Sequence, residues 1–146
     1  MITSEKGLKC EKISPLLRRL ENILDDRLII MLYLMHEKFF EGESSFWKHY
    51  FAILPQRALS PLFFAEEELE LILNTQLYSA IQAKKNRLMK EFQFINEAIE
   101  EWEKEDQLTF KPFGGNFTLE NFFWADTMLR SRDFGIPCQD EKVYFI

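Results

Sequence analysis

The feature that most constrains the fold is a run of eight apolar residues, Leu28 to Met35, which follows two aspartates. A helix from Arg27 to about Phe40 would be apolar on almost every side, and other elements must then surround it. Spanning a bilayer takes about 20 apolar residues, so the run is too short for a transmembrane helix. We therefore expect a central, buried helix that begins at a cap on Asp25 or Asp26 and ends at Gly42.

Further helices are predicted on both sides of this central segment, because capping residues and turn residues recur along the chain. Before the central helix, a helix is predicted from Ser14 (the N-cap, with Pro15 in the first turn) to about Leu24. After it come a short helix capped by Ser44 or Ser45 that Pro55 stops, an ordered loop over Gln56 to Phe64, and a helix that begins at Glu66, Glu67 and Glu68. The last predicted elements are a long helix, a glycine-containing loop over Lys111 to Phe117, and a helix capped by Thr118 that runs to about Arg132.

The longest predicted element spans about Gln76 to Glu105. Its apolar residues recur at alternating intervals of four and three, which is the seam of a helix that packs lengthwise against a partner. The seam residues are Leu88, Phe92, Ile95, Ile99 and Trp102. Two heptads are too few for a free coiled coil, so we expect the partner to lie within the same domain.

The fold class that follows is mainly α: a compact multi-helix domain with one long helix and a short C-terminal β segment. We expect residues 1–12 to be flexible and residues 13–134 to form the helical domain. Residues 135–146 are predicted to turn at Gly135 and Pro137 and to begin a strand over Val143 to Ile146. This strand needs a sheet that the rest of the chain is not expected to supply.

The composition indicates a folded domain without a nucleic-acid surface. Hydrophobic residues make up 47% of the chain, and the formal charge is −6. The one dense basic stretch, Lys84 to Lys90, is predicted to be a solvated helix face, so no nucleic acid and no membrane are expected as partners. Cys10 and Cys138 fit a reducing compartment. We expect a cytoplasmic protein, with an organelle as the alternative.

A search for self-contained chemistry finds no complete catalytic centre and no metal site. His36 and His49 lack the second histidine that a zinc-protease helix requires, and we expect His36 at a helix surface or at the edge of the core. Gly114 and Gly115 form a turn without the lysine of a phosphate loop. The paired carboxylates lie at helix caps or on polar helix faces.

The end of the last helix carries two arginines, Arg130 and Arg132, and two interpretations stand side by side. Both guanidinium groups complement the negative end of the helix dipole, which needs no ligand. Alternatively, one of them reaches an anionic ligand, because the planar guanidinium binds a carboxylate through two parallel hydrogen bonds. Composition alone does not choose between the two.

The order of the motifs resembles one branch of the SET-domain methyltransferases, typified by the plant Rubisco large-subunit lysine methyltransferase and the actin-histidine methyltransferase. The resemblance runs from about Leu24 to Phe134. It is carried by Ser45-Phe46-Trp47-Lys48-His49-Tyr50 followed by Leu54-Pro55, by Pro61-Leu62-Phe63-Phe64, by Leu73-Asn74-Thr75-Gln76-Leu77, by Phe117-Thr118-Leu119-Glu120, by Trp124-Ala125, and by Ser131-Arg132-Asp133-Phe134.

The resemblance implies that residues 13–134 are the helical insertion of a SET fold and form one wall of the protein-substrate cleft. The arginine of the last motif contributes to S-adenosylmethionine binding in that family, and Arg132 is the matching residue. Residues 135–146 would then lead into a strand of the SET core. The implied partner is a protein substrate whose lysine, or histidine, is methylated.

The family's glycine-containing cofactor loop, its asparagine-histidine motif and its catalytic tyrosine have no counterparts in these 146 residues. We therefore expect no catalytic residue here, Arg132 as the only candidate cofactor contact, and a partial methyltransferase that is inactive by itself. The alternative is a non-catalytic protein-interaction module derived from such an enzyme, with Phe46, Trp47, Tyr50 and Phe51 as anchors for a partner.

Overall fold

Helices form most of the chain, and this confirms the predicted mainly α class. The computed structural model describes residues 2–55 and 60–132 in full, and residues 134–138 and 141–145 by their backbone. Seven α-helices lie in this described part: α1 (Ser4–Leu8), α2 (Ser14–Arg19), α3 (Asp26–His36), α4 (Lys48–Ile53), α5 (Glu66–Glu70), α6 (Gln76–Glu105) and α7 (Leu119–Arg132). A π-helical turn, Glu37–Glu41, extends α3, and 3₁₀ turns occupy Gly42–Ser44 and Pro61–Phe63.

Helix α3 lies at the centre of the core, as its apolar run predicts. All residues from Leu28 to His36 are buried. The carboxylate of Asp25 caps the helix by accepting a hydrogen bond from the Leu28 N–H at 2.8 Å. Burying each large aliphatic side chain stabilises the fold by about 1.5–3 kcal/mol, so this helix anchors the elements packed around it.

Residues 4–8, within the N-terminal segment predicted to be flexible, form helix α1. Thr3 caps this helix, and the side chain of Ile2 is fully buried. A Cβ placed on Gly7 would lie 2.9 Å from Cγ2 of Ile29, so only glycine lets α1 approach α3 this closely. The burial of Ile2 outweighs the polar character of the surrounding residues.

The second helix is shorter than predicted. Helix α2 begins at Ser14 itself, so Ile13 rather than Ser14 is the N-cap, and it ends at Arg19. The Ser14 N–H donates to the Cys10 carbonyl at 2.9 Å, because the turn that precedes the helix already directs the chain into it. Turns, not helix, connect Leu20 to Asp25.

Helix α6 has the predicted bounds, and its seam packs inside the domain. Thr75 caps it through a hydrogen bond from the Tyr78 N–H. Four of the five seam residues are buried, and Phe92 is half-buried against the same core. The helix contacts α2, α7 and the Pro61–Phe63 turn, which confirms the prediction that its seam packs against partners within the same domain. No described helix combines the length and the apolar composition that crossing a bilayer requires.

The C-terminal segment is a β-hairpin in the described residues. Strand β1 (Phe134–Cys138) pairs antiparallel with β2 (Glu141–Phe145), with Gly135 opposite Tyr144. Val143 to Phe145, the start of the predicted strand, lie in β2, and Gly135 and Pro137, at which a turn is predicted, lie in β1. Each strand of a two-stranded sheet has a free edge, so a proline without an N–H is tolerated there. Ile146, Asp133 and residues 56–59 lie outside the described residues.

The predicted glycine loop connects α6 to α7 and touches the turn after α3. Gly114 and Gly115 have φ values of 60° and 74°, which side-chain-bearing residues rarely adopt. A Cβ on Gly114 would lie 2.1 Å from the carbonyl oxygen of Phe39, whereas one on Gly115 would meet open space. The close approach of two backbones requires glycine at position 114.

His36 is fully buried, which contradicts the predicted position at a helix surface or at the edge of the core. Its Nδ1 lies 2.5 Å from the Pro112 carbonyl oxygen, which can only accept, so Nδ1 carries the proton. The ring stacks on Phe40 and meets Phe113 edge-on. Burial lowers the pKa of His36. The side chain thus joins the end of α3 to the glycine loop.

Replacing Gly114 with alanine tests the close approach, with Gly115 as the matched control. We expect Gly115→Ala to lower the free energy of unfolding by about 1–2 kcal/mol, because the positive φ strains any L residue. Gly114→Ala should lower it by about 3 kcal/mol or more, since the clash with Phe39 adds to that strain. Urea unfolding followed by tryptophan fluorescence measures both, and equal losses would contradict the close approach.

The pH dependence of stability tests the burial of His36. The pKa of the folded state is below the ordinary value near 6.5, so the unfolded chain takes up the proton first and stability falls as the pH drops below about 6.5. Between pH 7.5 and 5.5 the loss should reach up to about 1.4 kcal/mol. His36→Gln should remove this loss, whereas His49→Gln should keep it, because His49 is exposed.

Candidate functional site

Arg132, the candidate ligand-binding residue, is the last residue of α7 and is half-buried. Its Nη1 donates to the hydroxyl of Ser131 at 2.5 Å. Within residues 2–55 and 60–132, no carboxylate lies within ion-pair distance of this guanidinium, although other arginines there have acidic partners. Arg132 therefore keeps hydrogen-bonding capacity for an anion.

Arg130, two residues earlier, has a different environment. Its Nε lies 3.9 Å from a carboxylate oxygen of Asp126, one helical turn away. Both arginines lie in the last turn of α7, where they complement the helix dipole, but among the described residues only Arg130 has a carboxylate within ion-pair distance. The structure thus gives different surroundings to two residues that composition alone leaves equivalent.

Tyr50 lies close enough to Arg132 for the two to interact electrostatically. Burial raises the pKa of the Tyr50 hydroxyl, and the positive charge of Arg132 acts in the opposite direction. Tyr50 belongs to α4, so residues of two motifs that are far apart in the sequence lie within electrostatic range of each other. The site therefore has a phenol and a guanidinium, both of which can donate to an anionic oxygen.

A buried polar network holds α4 in place beside this site. The Ser45 hydroxyl donates to the Glu37 carboxylate at 2.6 Å and accepts from the Trp47 N–H at 3.0 Å. The side chains of Glu37 and Trp47 also bond to Tyr33 on α3, and burial raises the Tyr33 pKa to about 12. Ser45 and Trp47 therefore act as anchors on α3, which explains their spacing before Tyr50.

A second anchor joins the end of α4 to α7. The indole N–H of Trp124 donates to the carbonyl of Pro55 at 2.7 Å. The ammonium of Lys38 lies 3.7 Å from the centre of the same ring, and burial lowers the pKa of Lys38. Sequence reasoning missed Lys38, because a cation above an aromatic ring leaves no local sequence pattern.

The aromatic residues proposed as partner anchors differ in exposure. Phe46 is 85% exposed, whereas Trp47, Tyr50 and Phe51 are half-buried against the core. Phe46 packs edge-on against Trp47, with ring centroids 5.0 Å apart. Of these four aromatic residues, only Phe46 is mostly exposed and so accessible to a partner. Ile53, at the end of α4, is also mostly exposed, at 76%.

The remaining candidate residues lie elsewhere. His36 is buried in the core and His49 is exposed on α4, so the structure does not bring the two histidines into one site. Cys10 is half-buried, and burial raises its pKa. In the described residues no group of three or more His, Cys, Asp or Glu side chains is arranged to hold a metal ion.

The sequence matches no protein-family model, but it is similar to several curated proteins. It is 37% identical over 105 residues to the chloroplast Rubisco large-subunit N-methyltransferase of Nicotiana tabacum, which covers 72% of this chain and 20% of the relative. The Pisum sativum enzyme of the same name is 33% identical over 132 residues, or 90% of this chain and 23% of the relative. The chloroplast fructose-bisphosphate aldolase-lysine N-methyltransferase of Arabidopsis thaliana is 38% identical over 106 residues, or 72% and 20%.

Solved structures of LSMT are also similar to this chain. A crystal structure of the SET domain of LSMT bound to methyllysine and AdoHcy superposes with a TM-score of 0.75 at 32% identity, over 91% of this chain and 28% of that one. A structure of Rubisco LSMT bound to AdoMet gives a TM-score of 0.68 at 30% identity, over 99% and 30%. The chain spans about a fifth of the length of the curated relatives and under a third of the solved chains.

Titration of Tyr50 tests the proximity of Arg132. Because the positive charge of Arg132 favours the phenolate, Arg132→Met should raise the pKa of Tyr50 further above its ordinary value. Arg130→Met should leave it unchanged, since Arg130 lies beside Asp126. The ring carbon shift of Tyr50 in ¹³C NMR measures both, and an unchanged pKa in Arg132→Met would place Arg132 away from the ring.

Proposed function

We propose that this chain, which is related to the SET-domain protein methyltransferases of the Rubisco large-subunit type, forms the helical, substrate-facing insertion of an S-adenosylmethionine-dependent protein-lysine methyltransferase. The observation that carries the proposal is the guanidinium of Arg132, which ends a helix without an acidic partner among the described residues. Its position in a fold shared with cofactor-bound SET domains supports a cofactor role.

The residues at the end of α7 suit the anionic part of S-adenosylmethionine. The cofactor carries a carboxylate, and a guanidinium binds a carboxylate with two parallel hydrogen bonds. Arg132 is half-buried, so water competes less for these bonds than at an exposed site. The Tyr50 hydroxyl, which interacts with Arg132, adds a further donor on the same side.

In the proposed reaction the cofactor supplies a methyl group on a sulfonium, which an uncharged amine of the substrate can attack. The residues of this chain contribute binding and orientation: Arg132 holds the carboxylate end, and the helical wall positions the substrate protein and excludes water. We assign no catalytic residue within these 146 residues, and we propose that proton removal and final alignment depend on other parts of the SET fold.

The proposed substrate is a protein. Among the similar proteins, one is named for methylating a lysine of fructose-bisphosphate aldolase, at 38% identity, whereas the actin-histidine N-methyltransferases are 26–27% identical, and this favours a lysine over a histidine target. Their chloroplast location favours an organelle over the cytoplasmic compartment that the composition first suggests.

A specific observation also favours a second function, a non-catalytic protein-interaction module derived from such an enzyme. Phe46, just before α4, and Ile53, its last residue, are large apolar residues that are mostly exposed. An exposed aromatic residue can serve as an anchor at a protein interface. This module would bind a protein and not the methyl donor.

A segment exchange tests the proposed function. This chain replaces the matching segment of the Pisum sativum methyltransferase, and calorimetry measures S-adenosylmethionine binding to the exchanged enzyme. We expect binding and methyl transfer to persist, and Arg132→Met to weaken binding about 10- to 100-fold, which is the contribution of hydrogen bonds to a charged group. Arg18→Met, at an exposed arginine on α2, is the control, with an expected change below about twofold.

Thermal unfolding of each exchanged enzyme checks that it is folded. A folded enzyme that binds the cofactor equally well with and without Arg132→Met would contradict the cofactor role of Arg132. A folded enzyme that binds no cofactor at all would favour the interaction module.

A further inference from the structure

Asp126 is a fully buried carboxylate in the middle of α7, on the face that packs against the core. Three cations from three different helices surround it. Nζ of Lys84 on α6 lies 2.9 Å from Oδ2, while Nη1 of Arg27 on α3 and Nε of Arg130 lie 3.5 and 3.9 Å from Oδ1. The sequence interpretation of Lys84 as part of a solvated face is therefore wrong, since this lysine pairs with a buried group.

The cations are themselves held in place. Nη2 of Arg27 lies 2.8 Å from both carboxylate oxygens of Glu91 on α6, and Nη1 lies 3.4 Å from the sulfur of Met31. Arg27 is largely buried, so it has little freedom to follow a moving carboxylate. Asp126 thus meets a fixed arrangement of charge, and α3, α6 and α7 join at this one point.

We propose that Asp126 is a positioning residue, which sets the rotation and axial position of α7 and thereby places Arg132 for its ligand. Buried apolar neighbours such as Met128 and Leu129 hold α7 against the core, but apolar contact has no preferred direction. The attraction between Asp126 and its three cations falls as their separations grow, so it favours one placement of the helix, although neither carboxylate oxygen has a hydrogen-bond partner among the described residues. Arg132 follows six residues later, about 9 Å along the axis, too close for the helix to bend much in between.

The functional part of this inference rests on the proposed cofactor role of Arg132, but the positioning of α7 can be measured without any ligand. Three variants of the full chain separate position from stability. Asp126→Asn removes the charge and keeps the shape. The pair Lys84→Met with Asp126→Leu replaces both charges by apolar groups, which often restores the stability that a single removal costs. Ile95→Val, on α6 and fully buried, lowers stability without touching the charges.

Amide hydrogen exchange of the chain is the first measurement. We expect Asp126→Asn and the apolar pair to speed exchange in the last turn of α7, residues 129–132, by about tenfold or more relative to its first turns. The apolar pair should do so even where urea unfolding shows recovered stability. Ile95→Val should leave the ratio between the two ends of α7 unchanged. Unchanged exchange in Asp126→Asn, or an equal effect of Ile95→Val, would overturn the positioning role.

The exchanged methyltransferase gives the second measurement. Asp126→Asn should raise the KM for S-adenosylmethionine about tenfold and leave kcat within about twofold, because a misplaced Arg132 weakens binding of the cofactor and its transition state alike. If Arg132→Met raises KM and Asp126→Asn does not, the positioning role fails and the proposed function stands. If neither variant changes KM, the proposed function fails, and amide exchange alone decides the role of Asp126.

Discussion

The burial of α3 is the constraint on which the rest of the structure depends. A helix that is apolar on every side needs cover on every side, and α1, α7 and the glycine loop pack against it. Its two ends are then the places where polar groups can meet the core. Arg27 enters at the first turn and His36 at the last, and each is held by a partner from a distant part of the chain.

The candidate site depends on α3 indirectly, through the two elements that pack against it. Helix α7 packs along α3, and α4 is anchored to the C-terminal end of α3 through Tyr33 and Glu37. Arg132 and Tyr50 lie within electrostatic range of each other because two separate elements are fixed to one central helix. A shift of either element relative to α3 would change their separation.

Much of the fold could be predicted from local patterns. The bounds of α6, the Asp25 cap and the glycine loop follow from spacing, capping chemistry and turn residues, all of which act over a few positions. The errors arise where distant contacts decide. Burial of Ile2 accompanies a helix in the polar N-terminal segment, and Lys84, on a face predicted to be solvated, pairs with the buried Asp126.

The site could be predicted only in part. The succession of motifs selects Arg132. Composition and helix position alone leave Arg130 and Arg132 equivalent, since both lie in the last turn of one helix. Which of them has an acidic neighbour depends on the direction in which each side chain leaves the helix. Asp126 is an ordinary polar residue in the sequence, and nothing nearby indicates that it is buried among cations.

The sequence by itself determined the class of fold, the central helix and the family relationship, because these depend on apolar periodicity and on motif order along the chain. The tertiary structure alone decided that Tyr50 lies within electrostatic range of Arg132, that His36 is buried, and that Asp126 joins three helices. The physical reason is that electrostatic and hydrogen-bond partners are selected by proximity in space. In this chain those partners lie up to about a hundred positions apart, as Arg27 and Asp126 do.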